Sequence, residues 1–167
     1  MANTFETEVR DSAKSLGIYY QRLPLPPRLN NIILKKNPYD SFMLLGQKFC
    51  ALELKSQEEH GSFTLSRLPQ NQTDGLGEVL SHGADSWILI NMRKKKGKLE
   101  NKCWAFHFKD IDDIISMCLT KNGKQLKSIP LELFDTCKYI IPIERTHSPI
   151  DKKLCWRIDK LEKYSIQ

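Results

Sequence analysis

Two apolar runs, residues 42–45 and 49–54, stand either side of Gly46-Gln47, and no other stretch so narrows what this chain can become. Runs of that length reversing at a glycine predict a β-hairpin. The return strand continues through Glu53, Leu54 and Lys55. Side chains alternate along a strand, so Glu53 and Lys55 share one face while Cys50, Leu52 and Leu54 line the other. An acid, Asp40, stands at the mouth of the hairpin.

A charged pair on a strand is ordinarily a solvated sheet face. With an acid upstream, the combination also suits metal-dependent phosphodiester hydrolysis. Two carboxylates, Asp40 and Glu53, can hold Mg²⁺, with phosphate oxygens completing the shell. Mn²⁺ serves such oxygen sites too. The main-chain carbonyl of Leu54 is a further candidate ligand. Lys55 beside them can orient the attacking water and stabilise developing charge.

Pro38-Tyr39-Asp40 followed by Glu53-Leu54-Lys55 resembles the PD-(D/E)XK nuclease superfamily. The longer run Lys36-Asn37-Pro38-Tyr39-Asp40 with Leu52-Glu53-Leu54-Lys55-Ser56 is similar to Holliday-junction resolvases of the RecU type. Phe5-Glu6, Asn71-Gln72 and the apolar run 87–91 extend the resemblance over residues 5–110. It implies a restriction-endonuclease-like α/β fold, a mixed β-sheet flanked by helices. It also implies a Mg²⁺-dependent endonuclease acting on branched DNA, a four-way junction above all. A glutamate of the first helix would join the metal site, and the Phe-Glu pairing points to Glu6. Gln72 would support Lys55 or the attacking water. Matched cuts in two strands imply a homodimer. Glu-Leu-Lys replaces the Glu-Ala-Lys common in the family and fits its phage versions better, while the long basic N-terminal arm of many RecU proteins is missing. Two alternatives stand beside this: another DNA-processing or restriction nuclease of the superfamily, and a catalytically silent DNA-binding protein of the same fold.

The rest of the chain is consistent with a single domain over 1–167, its core spanning about 4–145 and a segment 146–167 packed on it. The N-terminus lacks the basic-then-apolar form of a signal peptide, and no apolar run approaches a membrane span. Five scattered cysteines without a Cys-x-x-Cys argue for reduced thiols and a cytoplasmic setting, bacterial or in a phage-infected host. A net charge of +6 and a pI near 9.0 suit a polyanionic partner.

Residues 4–16 read as an amphipathic helix ended by Gly17, with Phe5, Val9, Ala13 and Leu16 in one stripe. At about 100° per residue, Glu6 lies roughly 65° from the stripe's centre and Glu8 about 95° away on the other side. Glu6 is the better placed to face inward; the alternative makes both solvated first-turn acids. Tyr19 and Tyr20 open a strand, the prolines of 23–27 break regularity, and 32–34 form a short strand. Arg22, Arg28, Lys35 and Lys36, with Lys94 and Lys95 in the basic turn 93–98, are candidate DNA contacts or solvated loop charges. A second helix runs from 70 or 71 to 82 with Gln72 turned inward, and Gly75 and Gly77 weaken it by about 1 kcal/mol each. Residues 62–65, 87–92, 103–108, 138–143 and 154–158 read as strands, Ile111, Ile114, Ile115, Cys118 and Leu119 define a third amphipathic helix stopped around Asn122-Gly123, and 130–134 read as one helical turn. Pro142 marks an edge strand. His107 and His147 are isolated and structural.

Overall fold

The hairpin grows into a six-stranded mixed sheet. The computed structural model describes residues 4–24, 28–29, 32–33, 36–93 and 101–165. The strands are β1 (Tyr19–Arg22), β2 (Ser41–Leu45), β3 (Lys48–Gln57), β4 (Asp85–Met92), β5 (Lys102–His107) and β6 (Ile141–Ile143), and they lie side by side in chain order. Gly46, at φ +59°, turns β2 into β3, a conformation that glycine enters without steric cost. Every neighbouring pair is antiparallel except β3 with β4. A parallel pair needs a crossover, and α2 (Gln70–Ser81) is carried by that connection.

The apolar runs explain the layers. All eight residues of β4 are buried, as a central strand covered on both faces requires. One face of the sheet packs against α1 (Thr4–Ser15) through Phe5, Val9 and Ala13. The other packs against α2, α3 (Ile111–Met117) and α4 (Leu131–Thr136) through Leu76, Ile114 and Phe134. On the α1 side, Arg145–His147 pairs with Leu154–Trp156, and a 3₁₀ segment, Ile158–Tyr164, follows. Trp156 N–H donates to Ser12 Oγ at 2.9 Å and Ser148 Oγ to the Ser15 carbonyl at 2.5 Å, so this segment is clasped to α1.

Several boundaries differ from the sequence expectations. The strand expected over 138–143 begins only at Ile141, because Ile140 N–H turns back to the Cys137 carbonyl at 3.1 Å. The alternation at 154–158 continues past its strand: pairing stops at Trp156, and Ile158 is buried from a 3₁₀ turn instead. That strand lies in its own ribbon and not in the main sheet. Residues 62–65 contribute only Phe63–Thr64 before a 3₁₀ turn. α3 ends at Met117, before Cys118 and Leu119 and short of the stop expected around Asn122-Gly123, and Gln125 Nε2 caps the Ile115 and Cys118 carbonyls at 2.8 and 2.9 Å. His107 is structural as expected but not isolated: its Nε2 lies 3.2 Å from Asp85 Oδ1 in the core.

Candidate active site

The hairpin register brings the three central groups together. Ser41 pairs with Leu52 at the start of β2. One residue earlier, Asp40 N–H donates to the Leu52 carbonyl at 3.1 Å, so Asp40 extends the ladder and stands beside Glu53. Its Oδ2 accepts the Leu54 N–H at 3.0 Å. Residues two apart on a strand direct their main-chain groups to the same edge. The Leu54 carbonyl therefore also points to the Asp40 side, where β2 has given way to loop.

Glu53 is fully buried. Its Oε1 lies 2.6 Å from Lys55 Nζ, which in turn donates to Gln72 Oε1 at 2.9 Å. Gln72 sits in the first turn of α2, held there because the helix lies close on the loop leading to Asp40. Asn71 Nδ2 donates to the Asn37 carbonyl at 3.0 Å. A Cβ on Gly75 would lie 2.3 Å from Pro38 Cβ and 2.5 Å from the Pro38 oxygen. The glycine that lowers helix propensity is thus what lets α2 approach Pro38-Tyr39-Asp40.

Electrostatics at this point are strained. Burial, then the neighbouring Asp40 charge, push the Glu53 carboxyl up to about 8, with Lys55 opposing. Its Oε2 is buried without a hydrogen-bond donor. Glu6 of α1 reaches the same region from the opposite face of the sheet. Burial raises it, Arg22 opposes that at 2.9 Å, and the Asp40 charge adds to it. Glu8 points elsewhere, receiving the Trp156 Nε1–H at 3.1 Å and lying 3.3 Å from Arg93. Of the two first-helix acids, Glu6 is the one near Asp40.

Among the described residues, no group of three or more His, Cys, Asp and Glu stands together as a ready cage for a metal ion. Mg²⁺ does not demand one, since it is commonly held by one or two carboxylates with waters and phosphates. Asp40 and Glu53, with an orphaned buried oxygen and a Glu53 carboxyl pushed up by burial and by the neighbouring Asp40 charge, fit that mode. The Leu54 carbonyl faces the same edge, and Glu6 lies nearby but is engaged by Arg22.

Of the candidate DNA contacts, Lys36 is exposed, and Arg22 is exposed while paired with Glu6. Lys35, Lys94 and Lys95 lie outside the described residues. Patterning gives no sign of two neighbours, Tyr20 and Ser41, whose hydroxyls are buried beside Glu6 and Asp40. Tyr20 stands opposite Met43 in the register and turns to the α1 face, which only the observed pairing reveals. Asp85 and His107 were equally hidden, being 22 positions apart.

No protein-family model matches the chain, and no curated protein matches it. Among solved structures it is similar to Hjc of Archaeoglobus fulgidus, described as a Holliday junction resolvase from an archaeal hyperthermophile. The two are 13% identical, the match covers 80% of this chain and 91% of that one, and the TM-score is 0.47.

Proposed function

We propose that this chain is a divalent-metal-dependent endodeoxyribonuclease cutting branched DNA, a Holliday-junction resolvase of the phage-like RecU type. The observation that carries the proposal is the single cluster formed by Asp40, Glu53, Lys55 and Gln72, with Lys55 Nζ held between Glu53 Oε1 and Gln72 Oε1.

In this reading Asp40, Glu53 and the Leu54 carbonyl hold Mg²⁺ or Mn²⁺, and Glu6 assists from α1. The ion supplies positive charge to the scissile phosphate and makes the attacking water more acidic. Lys55, mostly buried, keeps its ammonium aimed by two acceptors, so it need not reorganise as charge develops on the phosphate. Gln72 fixes the lysine rather than touching substrate. Arg22, Lys35, Lys36, Lys94 and Lys95 would meet DNA phosphates. Two matched cuts across a junction call for a two-fold pair of such sites. No helix among the described residues is long and apolar enough to cross a membrane, and the proposed setting is cytoplasmic.

Variants test the assignment. Asp40→Asn and Lys55→Ala should each lower junction cleavage by on the order of a hundredfold or more while leaving junction binding largely intact. Cleavage unchanged in either variant contradicts the site. Equal cutting of linear duplex and junction would favour another nuclease of the superfamily, and binding by the wild type without cutting would favour a silent DNA-binding fold.

A further inference from the structure

Glu6 and Arg22 meet at the corner of the sheet that also holds Asp40. Arg22 closes β1 opposite Ser41, and the next residue, Leu23, donates its N–H to the Asp40 carbonyl at 3.0 Å. Glu6 reaches the same corner from α1. Its carboxyl and the Tyr20 hydroxyl both feel the Asp40 charge, so the three groups lie within electrostatic reach of one another. Three carboxyl groups, Glu6, Asp40 and Glu53, therefore share a corner with two cations, Lys55 and Arg22.

The Arg22–Glu6 pair is close but poorly fitted. Arg22 Nη2 lies 2.9 Å from Glu6 Oε2, yet that buried oxygen receives no aligned hydrogen bond, and neither the Tyr20 nor the Ser41 hydroxyl supplies one. A fitted pair looks different in this same chain: Arg157 donates to both carboxylate oxygens of Asp159. The two partners also differ in freedom. The Glu6 side chain is 13% exposed on a helix, whereas Arg22 is 42% exposed at the end of an edge strand. Of the two, the arginine is the one with room to leave.

We propose that Arg22 has two alternative partners, Glu6 while the corner lacks a divalent cation and a DNA phosphate once Glu6 turns its charge to that cation. Metal loading and DNA capture are then coupled through one guanidinium. The inference rests on the nuclease reading and adds an order of events to it. A mostly buried carboxylate without a cation is costly, which explains why an arginine stands beside Glu6 despite the imperfect geometry. The guanidinium fork suits phosphate as well as carboxylate. It has donors enough for both at once. A phosphate drawn here before a divalent cation, however, would stand against Glu6 and Asp40, and like charges brought together repel. Two further positive charges reverse that balance. By linkage the coupling is mutual, DNA favouring metal as much as metal favours DNA.

A double-mutant cycle on the full chain tests this with two readouts that need no cleavage. In calorimetry with Mn²⁺ alone, Arg22→Gln should bind the ion about fivefold tighter, and the gain should vanish when Glu6→Gln is already present. In junction binding with EDTA, Glu6→Gln should bind about fivefold tighter than the wild type, because it frees Arg22, and the double variant should lose that gain. Either gain persisting unchanged in the double variant overturns the proposal, since the effect would then be general electrostatics and not an exchange of partners. Should Glu6→Gln lose its circular dichroism, Arg22→Lys decides. A cation kept opposite Glu6 must hold the Mn²⁺ affinity within about twofold of the wild type, and a gain matching that of Arg22→Gln overturns the proposal. A wild type that binds Mn²⁺ and cuts junctions while the variants act additively sinks this exchange alone. A wild type that shows both gains yet leaves junctions whole sinks the nuclease reading alone, and one that neither binds Mn²⁺ nor cuts sinks both.

Discussion

Glu53 concentrates the chemistry of the fold in one carboxyl group. It is buried beside Asp40, and an ammonium only partly compensates it. Its folded value of about 8 stands above the ordinary 4.5, so between those limits the native state holds a proton that the unfolded chain releases. The sign follows: the associated stability is complete below the ordinary value and is lost as pH rises through the folded one. Without divalent metal, the chain should melt progressively lower as pH is raised from about 5 to about 9, at up to about 1.4 kcal/mol per unit. Glu53→Gln should flatten that slope, and adding Mg²⁺ should restore the alkaline loss in the wild type alone. A thermal scan against pH checks all three; an unchanged slope in the variant contradicts the assignment. The spacing of Glu53 and Lys55 was legible in the sequence, since strand alternation alone puts them on one face. The Arg22–Glu6 and Asp85–His107 pairs were not, because each depends on a register or a packing that no local pattern encodes.

α2 and the loop before β2 act together. Gly75 and Gly77 look equivalent in a helical sequence, yet their surroundings give them opposite signs. A Cβ at 75 meets Pro38 at 2.3 Å, whereas at 77 the nearest neighbour is Phe108 Cε1 at an ordinary 3.6 Å. Gly75→Ala should cost about 1–3 kcal/mol by forcing the helix off the loop, and it should also lower cleavage through Gln72 and Asp40. Gly77→Ala should stabilise by roughly 0.5–1 kcal/mol, because it removes a flexible residue from a helix interior. Chemical denaturation of the two variants checks this, and equal effects would contradict the close approach. Most elements were legible: the 42–54 hairpin, the buried strand through Trp87 and its partner through Trp104 each announce themselves by periodicity. Failures came where side chains end elements, as Gln125 ends α3, or where a residue such as Ile158 is buried without belonging to a strand.

In the whole molecule, a chain-ordered sheet with one parallel junction leaves Asp40, Glu53 and Lys55 at an edge where β2 stops short of β3. The C-terminal segment lies on the opposite layer, against α1, and keeps clear of the Lys55 face. Its placement was only partly legible, because Trp156 and Ser12 meet across 144 positions of sequence. The central claim is that this edge seats a cation and cuts branched DNA. The purified chain incubated with a labelled four-way junction and a matched linear duplex, with Mg²⁺ added or withheld, tests it most directly. Paired cuts at the branch only when the metal is present, with the duplex left whole, is the predicted result; an intact junction in Mg²⁺ and in Mn²⁺ contradicts the account.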